Sequence, residues 1–364
     1  GMTSASASYL ANAALNLKGN ALLYINANQG GASTIQIGAL NGESGTKLGW
    51  ARSIALERDI TWSIGGLNTD SEFAGSFTNT GGSSGSGASY SGQYTHVAKT
   101  GTGKLTLSGV SEAFNGNVTV NGGELLVSGS VKGNTRPEGA LTNQVKVEDG
   151  ATLTVTGTVG ATTLTVLPGG TLKGSGTIYG KTTVQGILSG SLTFAGDLTV
   201  TDSVVLNVTG FNTGEYDQLT IADSLSLGGS LRVVVTADSP ANATSIQLIK
   251  STRQSGTFTL KDLPQGYSYD DATGYLTYNT VTTGLGENAK NLLVYPAVTS
   301  NLVIVEGNHI QSIRVTNLAG RQMLLNMYPG ATSQLQLGQY AKGMYILEVT
   351  LTDGTSTFSK VIVK

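Results

Sequence analysis

The chain has 364 residues, a net charge of −2, 51 glycines and no cysteine, and only 12% of its residues are charged. The lack of a basic excess excludes a nucleic-acid binder that works by neutralising phosphates. The lack of cysteine excludes disulfides and thiolate chemistry, and two histidines leave little for a zinc site or a histidine-based triad. No apolar run is long enough for a transmembrane helix, so we expect no transmembrane segment. The length suggests at least two domains.

The N-terminal end gives little information about function. Gly1 ahead of Met2 is interpreted as the remnant of an expression tag, and no signal peptide is recognised after it. Either a signal has been trimmed, or the sequence is a piece of a longer protein, in which case a catalytic domain could lie upstream.

Residues 100–235 repeat a short motif in which glycines enclose a Leu-x-Leu, Leu-x-Val or Leu-x-Phe pair. Apolar and polar residues alternate within most copies, which is the period of a strand with one buried face. In one copy Leu153 and Val155 are predicted to point inward, and the threonines around them outward. Lys146 is likewise predicted to point outward between inward Val145 and Val147. The clearest copies span residues 103–109, 123–129, 150–157 and 190–196.

The spacing of these strands favours a solenoid. We place strand centres near residues 145, 153, 164, 172, 178, 184, 192 and 198, and these intervals leave no room for a helix. Most corners contain a single glycine, whereas tight hairpins need paired residues with positive φ. The pattern therefore predicts a parallel β-helix whose coils turn three corners and stack on one another. An antiparallel meander or sandwich remains the alternative.

Two segments of this region resemble a known repeat. Residues 100–109 (TGTGKLTLSG) and 114–127 (FNGNVTVNGGELLV) are similar to the autotransporter-associated β-strand repeat. Segments typical of its surroundings occur at 37–42, 64–75, 216–221 and 225–231, so the resemblance spans about residues 30–280. It implies a surface-exposed, right-handed parallel β-helix, which we assign to residues 1–280, and it implies no particular activity.

The composition changes after Tyr278. Residues 281–291 are predicted to be a polar linker. Residues 292–364 contain short runs of alternating polarity, separated by turn residues such as Asp353-Gly354. This pattern predicts a small Ig-like antiparallel β-sandwich of six or seven strands, so the whole chain is expected to be all-β.

Landmarks in this second domain resemble the type IX secretion C-terminal sorting domain of Bacteroidetes. That family reads Val-Tyr-Pro-Asn-Pro, then Gly-Arg, then Lys-Gly-x-Tyr, then a last strand ending in lysine. Ala297-Val298 departs from the usual Asn-Pro. The resemblance implies an export address that is handled by the secretion machinery of the outer membrane and is often removed on anchoring. It implies an extracellular or outer cell-surface location. A cap over the open end of the solenoid is a compatible second role. The matching residues are Val294, Tyr295, Pro296, Gly320, Arg321, Lys342, Gly343, Tyr345 and Lys364.

Residues that could form an enzyme site are scattered. Lyases and glycosidases need clustered carboxylates. A spacing of one coil could bring Asp197 near Asp217 or Asp223, but we interpret such acids as solvated loop charges and Asp270-Asp271 as turn residues. Residues 81–85 spell a nucleophile elbow inside a Gly/Ser-rich stretch, which we attribute to chance. The acids on the repeats are Glu124, Glu148, Asp149, Asp197, Asp202, Asp217 and Asp223.

Histidine and aromatic residues also have ordinary explanations. His96 is interpreted as a loop or edge histidine. Trp50 and Trp62 could stack on a sugar, but packing in a cap or in the core is the favoured interpretation. Tyrosines that could form exposed rows are Tyr90, Tyr94, Tyr267, Tyr269, Tyr275 and Tyr278.

The sequence therefore predicts a non-catalytic β-helix delivered to the cell surface, with a structural, adhesin-like or glycan-contacting role. We predict no catalytic, metal-binding or cofactor-binding residues. Expected partners are the secretion machinery and an extracellular glycan or host surface. The alternative is a polysaccharide-degrading lyase or glycosidase, or the non-catalytic tail of one whose catalytic domain is absent from this sequence.

Overall fold

The computed structural model describes residues 10–23, 33–49, 60–78, 95–111, 114, 116–132, 143–240, 242–279, 292–327, 332–352 and 354–364. The 281–291 linker, Trp50, Tyr90, Tyr94 and the stretch at 81–85 lie outside these residues. The chain forms two units, Gly1–Thr280 and Val281–Lys364. The regular elements within the described ranges are all strands, which confirms the all-β prediction.

The first unit consists of short strands separated by corners. Up to residue 132 these are β1 (Ala14–Leu17), β2 (Leu22–Leu23), β3 (Ser33–Ile37), β4 (Ala39–Gly42), β5 (Lys47–Gly49), β6 (Ile60–Ile64), β7 (Ser71–Phe73), β8 (Ser76–Thr78), β9 (Thr95–Lys99), β10 (Lys104–Leu107), β11 (Val110–Ser111), β12 (Val118–Val120), β13 (Glu124–Val127) and β14 (Ser130–Lys132). From residue 143 they are β15 (Gln144–Val147), β16 (Thr152–Val155), β17 (Thr158–Val166), β18 (Thr171–Gly174), β19 (Thr177–Val184), β20 (Ile187–Gly190), β21 (Thr193–Phe194), β22 (Leu198–Val200), β23 (Ser203–Val208), β24 (Leu219–Leu227), β25 (Ser230–Val235), β26 (Thr244–Gln247), β27 (Ile249–Gly256), β28 (Thr259–Lys261), β29 (Tyr267–Asp270) and β30 (Tyr275–Tyr278).

Successive coils pair in parallel along three faces, as the spacing predicted. The first face carries β3, β6, β9, β12, β15 and β22. The second face is an 11-stranded sheet in the order β1-β4-β7-β10-β13-β16-β18-β20-β23-β25-β28. The third face carries β11, β14 and β21. Strands β17, β19, β24 and β27 turn the corner between the third and first faces and contribute to both.

Leucine ladders fill the interior. Leu153 is 1% exposed and pairs with Leu125 on one side and Leu172 on the other. Val145 and Val147 are buried, whereas Lys146 between them is exposed, so the predicted inward and outward register is confirmed. Each coil adds apolar side chains to a continuous core, and each buried leucine or valine contributes roughly 1.5–3 kcal/mol before conformational entropy is counted.

Two strand positions differ from the prediction. Residues 178 and 184 lie on the single strand β19, because Gly180 turns the corner within the strand at φ 88°. Leu192 is buried one residue ahead of β21. The last coils also carry a three-stranded antiparallel sheet, β26-β30-β29, that the repeat pattern did not predict.

The second unit has two sheets that share one core. Its strands are β31 (Leu293–Tyr295), β32 (Val298–Thr299), β33 (Leu302–Glu306), β34 (Ile310–Asn317), β35 (Gln322–Met327), β36 (Thr332–Gln336), β37 (Gly343–Leu351) and β38 (Ser356–Val363). The sheet orders are β31-β33-β36 and β32-β38-β37-β34-β35. Eight described strands replace the six or seven predicted, and the pairing is not wholly antiparallel, because β32 runs parallel to β38.

The core of this unit lies between the two sheets. Val303, Val305 and Leu335 of the three-stranded sheet face Val349 and Val361 of the five-stranded sheet in one buried cluster. The right-handed sense of the solenoid, the Ig-like topology of this unit and the autotransporter-associated repeat stay predictions.

Candidate functional site

Strand pairing in the second unit gathers distant sorting landmarks at one end of the five-stranded sheet. Gly343, at the start of β37, pairs with Val363, so Lys342 and Lys364 continue from neighbouring strands. Tyr345 pairs with Asn317 at the end of β34, where the turn containing Gly320 and Arg321 begins. Adjacent strands lie about 4.8 Å apart, so landmarks from three separate stretches of sequence occupy one short edge.

A hydrogen-bonded turn holds the Gly-Arg landmark. The Asn317 side-chain Oδ1 accepts from the backbone N–H groups of Ala319 (3.1 Å) and Arg321 (2.9 Å). Gly320 adopts φ 74°, a left-handed conformation that glycine accepts without steric cost. This turn leaves the Arg321 side chain exposed.

Tyr345 is the buried anchor of the Lys-Gly-x-Tyr landmark. Its side chain is 4% exposed, and its hydroxyl donates to the carbonyl oxygen of Ala341 at 2.7 Å. Its ring lies 6.1 Å from that of Tyr340, whose hydroxyl donates to the carbonyl oxygen of Met323. Tyr345 therefore fixes the chain just ahead of β37, while Lys342 and Gly343 remain exposed.

The Val-Tyr-Pro landmark connects the two sheets. The hydroxyl of Tyr295 donates to Glu306 Oε1 at 2.7 Å, and this bond raises the pKa of the Tyr295 phenol. The Tyr295–Pro296 peptide bond is cis, and Val294 is only partly exposed. The carbonyl oxygen of Ala297, which departs from the family pattern, accepts from the N–H of Ile362 on the last strand.

On the solenoid, coil stacking aligns outward hydroxyl groups into a ladder along the first face. Thr165 pairs with Thr183, Thr183 with Thr199, Thr199 with Ser226 and Ser226 with Ser255. The side-chain hydroxyls of Thr165, Thr183 and Thr199 make no hydrogen bond within the described part of the chain. A row of polar groups spaced at about 4.8 Å therefore faces solvent.

A second ladder runs along the third face. Ser130, Thr158, Thr177, Thr193 and Thr220 align on consecutive coils. Beside this second ladder Lys132 Nζ lies 4.4 Å from the centre of the Tyr179 ring, a cation–π contact. Sequence repetition alone did not reveal either ladder, because corner lengths decide which threonines align.

Several of the scattered acids have hydrogen-bond or ion-pair partners, and those of Asp197 and Asp223 lie on the next coil. Asp197 Oδ1 accepts from the backbone N–H of Ser224, and Asp217 Oδ2 accepts from the backbone and side chain of Asn207. Asp223 pairs with Arg253 one coil away. Asp270 ends β29 and accepts from Thr273 and from the Ala272 N–H, which lowers the pKa of Asp270. The turn begins at Asp271, so the prediction of a turn holds for Asp271 and is wrong for Asp270. Within the described ranges, no group of three His, Asp or Glu residues could hold a metal ion.

Trp62 and His96, two of the candidates from the sequence, lie on paired strands of the first unit. Trp62 is wholly buried, which fits the favoured packing interpretation. His96 lies on β9 between two paired strands, so its interpretation as a loop or edge residue is wrong; its Nδ1 accepts from the Asn117 N–H. Burial raises the pKa of Tyr269, whose hydroxyl has no partner in the described part.

The tyrosines of the last coils do not form an exposed row. Tyr267 packs against the core beside Phe211 and Tyr278, with ring centres 6.4 Å and 5.0 Å away. Tyr275, at 40%, is the most exposed of the four described candidates.

Sequence reasoning missed one buried charge. Lys99 stands at the end of β9 and is 1% exposed. Its Nζ donates to the carbonyl oxygens of Thr100 (2.8 Å), Gly101 (3.0 Å) and Gly122 (2.9 Å). Burial lowers the pKa of Lys99 to about 8, and the charge of Asp70 partly opposes that shift. All three N–H donors of the Lys99 ammonium group bind carbonyl oxygens at a corner, so Lys99 links adjacent coils.

Comparison with known proteins identifies the second unit. Residues 293–364 match the family model described as the secretion system C-terminal sorting domain. A type IX tail of this kind indicates a secreted or cell-surface protein handled by the type IX machinery. No curated protein matches the chain. No helix among the described residues could cross a membrane.

One solved structure with weak similarity is PorZ, described as an essential bacterial surface component of the type-IX secretion system of Porphyromonas gingivalis. The identity is 19%, the match covers 29% of this chain and 16% of PorZ, and the TM-score is 0.19.

Proposed function

We propose that this chain is a non-catalytic, right-handed β-helix that is exported to the outer cell surface and works there as a structural or adhesin-like, glycan-contacting module. The observation that carries the proposal is the combination of a sorting tail with two in-register hydroxyl ladders on the solenoid. Hydroxyl groups spaced at about 4.8 Å offer donors and acceptors along an extended ligand without any reacting group.

The export part of the proposal is tested by moving the tail. A chain that ends at Asn291 should remain in the periplasm of a bacterium with type IX secretion, and residues 292–364 fused to a soluble carrier should reach the surface. Cell fractionation with protease shaving measures both. If the truncated chain reaches the surface and the fusion does not, the second unit is a cap or a binding module.

The glycan-contacting part of the proposal is tested by removing hydroxyl groups from a ladder. Replacing Thr165, Thr183 and Thr199 together by Val keeps shape and β-propensity but removes the free hydroxyls. Retention on immobilised linear polysaccharides, neutral and anionic, should fall, while the matched change of Thr152 and Thr171 to Val on the second face should have little effect. Equal retention of the two variants would show that the ladder does not contribute to polysaccharide binding.

The alternative, a polysaccharide-degrading enzyme, is tested with the same polysaccharides. Release of reducing ends or of unsaturated products by the purified chain would favour it over the non-catalytic proposal.

A further inference from the structure

Strand β37 of the second unit has apolar side chains on both of its sides. Tyr345, Leu347 and Val349 point into the core, whereas Met344 and Ile346 alternate with them and point to the other side of the sheet. Strands that are apolar on both sides are typical of sheets covered on both faces, and the outer face of a sandwich is normally polar. Here the outer side is partly accessible to solvent, with Met344 and Ile346 half-buried.

Neighbouring strands extend this apolar surface. Ile362 lies between Met344 and Val298, and Lys360 is the partner of Ile346. The Arg314–Glu348 ion pair, at 3.3 Å, interrupts the surface further along the sheet. We call this surface the outer face; its apolar members are Val298, Leu325, Met344, Ile346, Phe358 and Ile362, of which Phe358 is 61% exposed and Val298 42%.

The unpaired charged side chains on and beside the outer face, among the described residues, are all cationic. Lys360 lies within the outer face, and Arg321, Lys342 and Lys364 lie along the end where the landmarks gather. All four side chains are exposed and make no ion pair with a described residue. The nearest carboxylate on the outer face, Glu348, is already paired with Arg314. An apolar centre with a cationic rim is complementary to an apolar surface rimmed by carboxylates.

We propose that the outer face is the surface through which the export address docks on a protein partner whose contact patch is apolar and rimmed by Asp or Glu. The inference rests on the proposed function, because it names the part of the sorting unit that is recognised. A sheet face with methionine and isoleucine at its centre suits a protein partner, because methionine packs adaptably against a neighbouring surface and isoleucine adds apolar contact area.

Delivery of the full chain in a type IX host is the first test. Three variants are compared with the unchanged chain: Met344→Thr with Ile346→Thr, Lys360→Glu, and the control Leu302→Thr. Leu302 is also half-buried, but it lies on the outside of the other sheet and does not pair with a landmark residue. The two outer-face variants should lower the protease-accessible surface fraction about tenfold, the effect of losing one anchor residue, and Leu302→Thr should not. Unchanged melting temperatures of the purified variants show that folding is not the cause.

Photo-crosslinking from position 346 of the full chain is the second test. We expect an adduct with a different protein through a peptide that carries at least two carboxylates, and Lys360→Glu should abolish it. Crosslinking to a second copy or to this chain's own solenoid would overturn the proposal, as would binding of the purified chain to phosphatidylglycerol vesicles.

The two proposals fail in different ways. If the unchanged chain is not delivered, or the chain ending at Asn291 is delivered, the export function is wrong. If the unchanged chain and both outer-face variants are delivered equally, the export function stands and the docking inference is wrong.

Discussion

Removing one rung of the leucine ladder should destabilise the solenoid far more than removing a surface charge. Leu153 is 1% exposed and lies between Leu125 and Leu172, which are fully buried and held by backbone pairing on both sides. It also lines a small apolar void together with Val131. The site cannot collapse around a smaller side chain, so Leu153→Ala should cost about 3–5 kcal/mol. Leu153→Asp should cost more, because it buries an unpaired carboxylate.

The matched control is Lys146→Ala on the preceding strand. Lys146 Nζ lies 2.8 Å from Glu148 Oε1, but both side chains are substantially exposed, so we expect a loss of under about 0.5 kcal/mol. Urea titration of the full chain gives the overall change, and hydrogen exchange of the amides on β13, β16 and β18 locates it, because coils contact mainly their neighbours. Equal costs for the two variants would refute the assigned register.

The remaining predictions concern a glycine at a corner of the solenoid, the buried Lys99, and the effect of chelators and reductants on stability. Gly174→Ala should cost more than about 4 kcal/mol of stability, because its Cβ would lie 2.0 Å from the Val155 carbonyl oxygen. Gly150→Ala, also at positive φ but in open space, should cost only about 1–2 kcal/mol. Similar melting temperatures of the two variants would contradict this reasoning. Lys99 has a folded pKa of about 8 against 10.5 unfolded, so the folded chain binds fewer protons between these values. The free energy of unfolding should therefore rise from pH 8 to 10.5 by up to about 3 kcal/mol, and this rise should be missing in Lys99→Met. EDTA and reductants should leave the melting temperature unchanged; a fall of several degrees with EDTA would reveal a missed cation site.

Much of the local structure followed from the sequence. Alternation at Leu153, Val155 and Lys146 predicted which side chains are buried, because successive residues of a strand point to opposite faces. Glycine marked the corners, because the backbone there adopts positive φ or approaches the previous coil too closely for a Cβ; Gly174 meets both conditions. His96 was misplaced, because a polar residue on the outer side of a strand resembles a loop residue in sequence.

The candidate surfaces, in contrast, depended on the tertiary structure. Whether Thr165 meets Thr183 and Thr199 depends on the number of residues at each corner, and these corners vary in length without changing the strand pattern. Lys342 and Lys364 adjoin because β37 and β38 pair antiparallel, so their distance in sequence says nothing about their distance in space. By itself the sequence determined the all-β class, the inward and outward register and the sorting tail, since these depend on side-chain period and on local motifs. Only the pairing between strands decided the hydroxyl ladders, the cationic end and the uncovered apolar face, since each is a relation between residues that the chain must bring together.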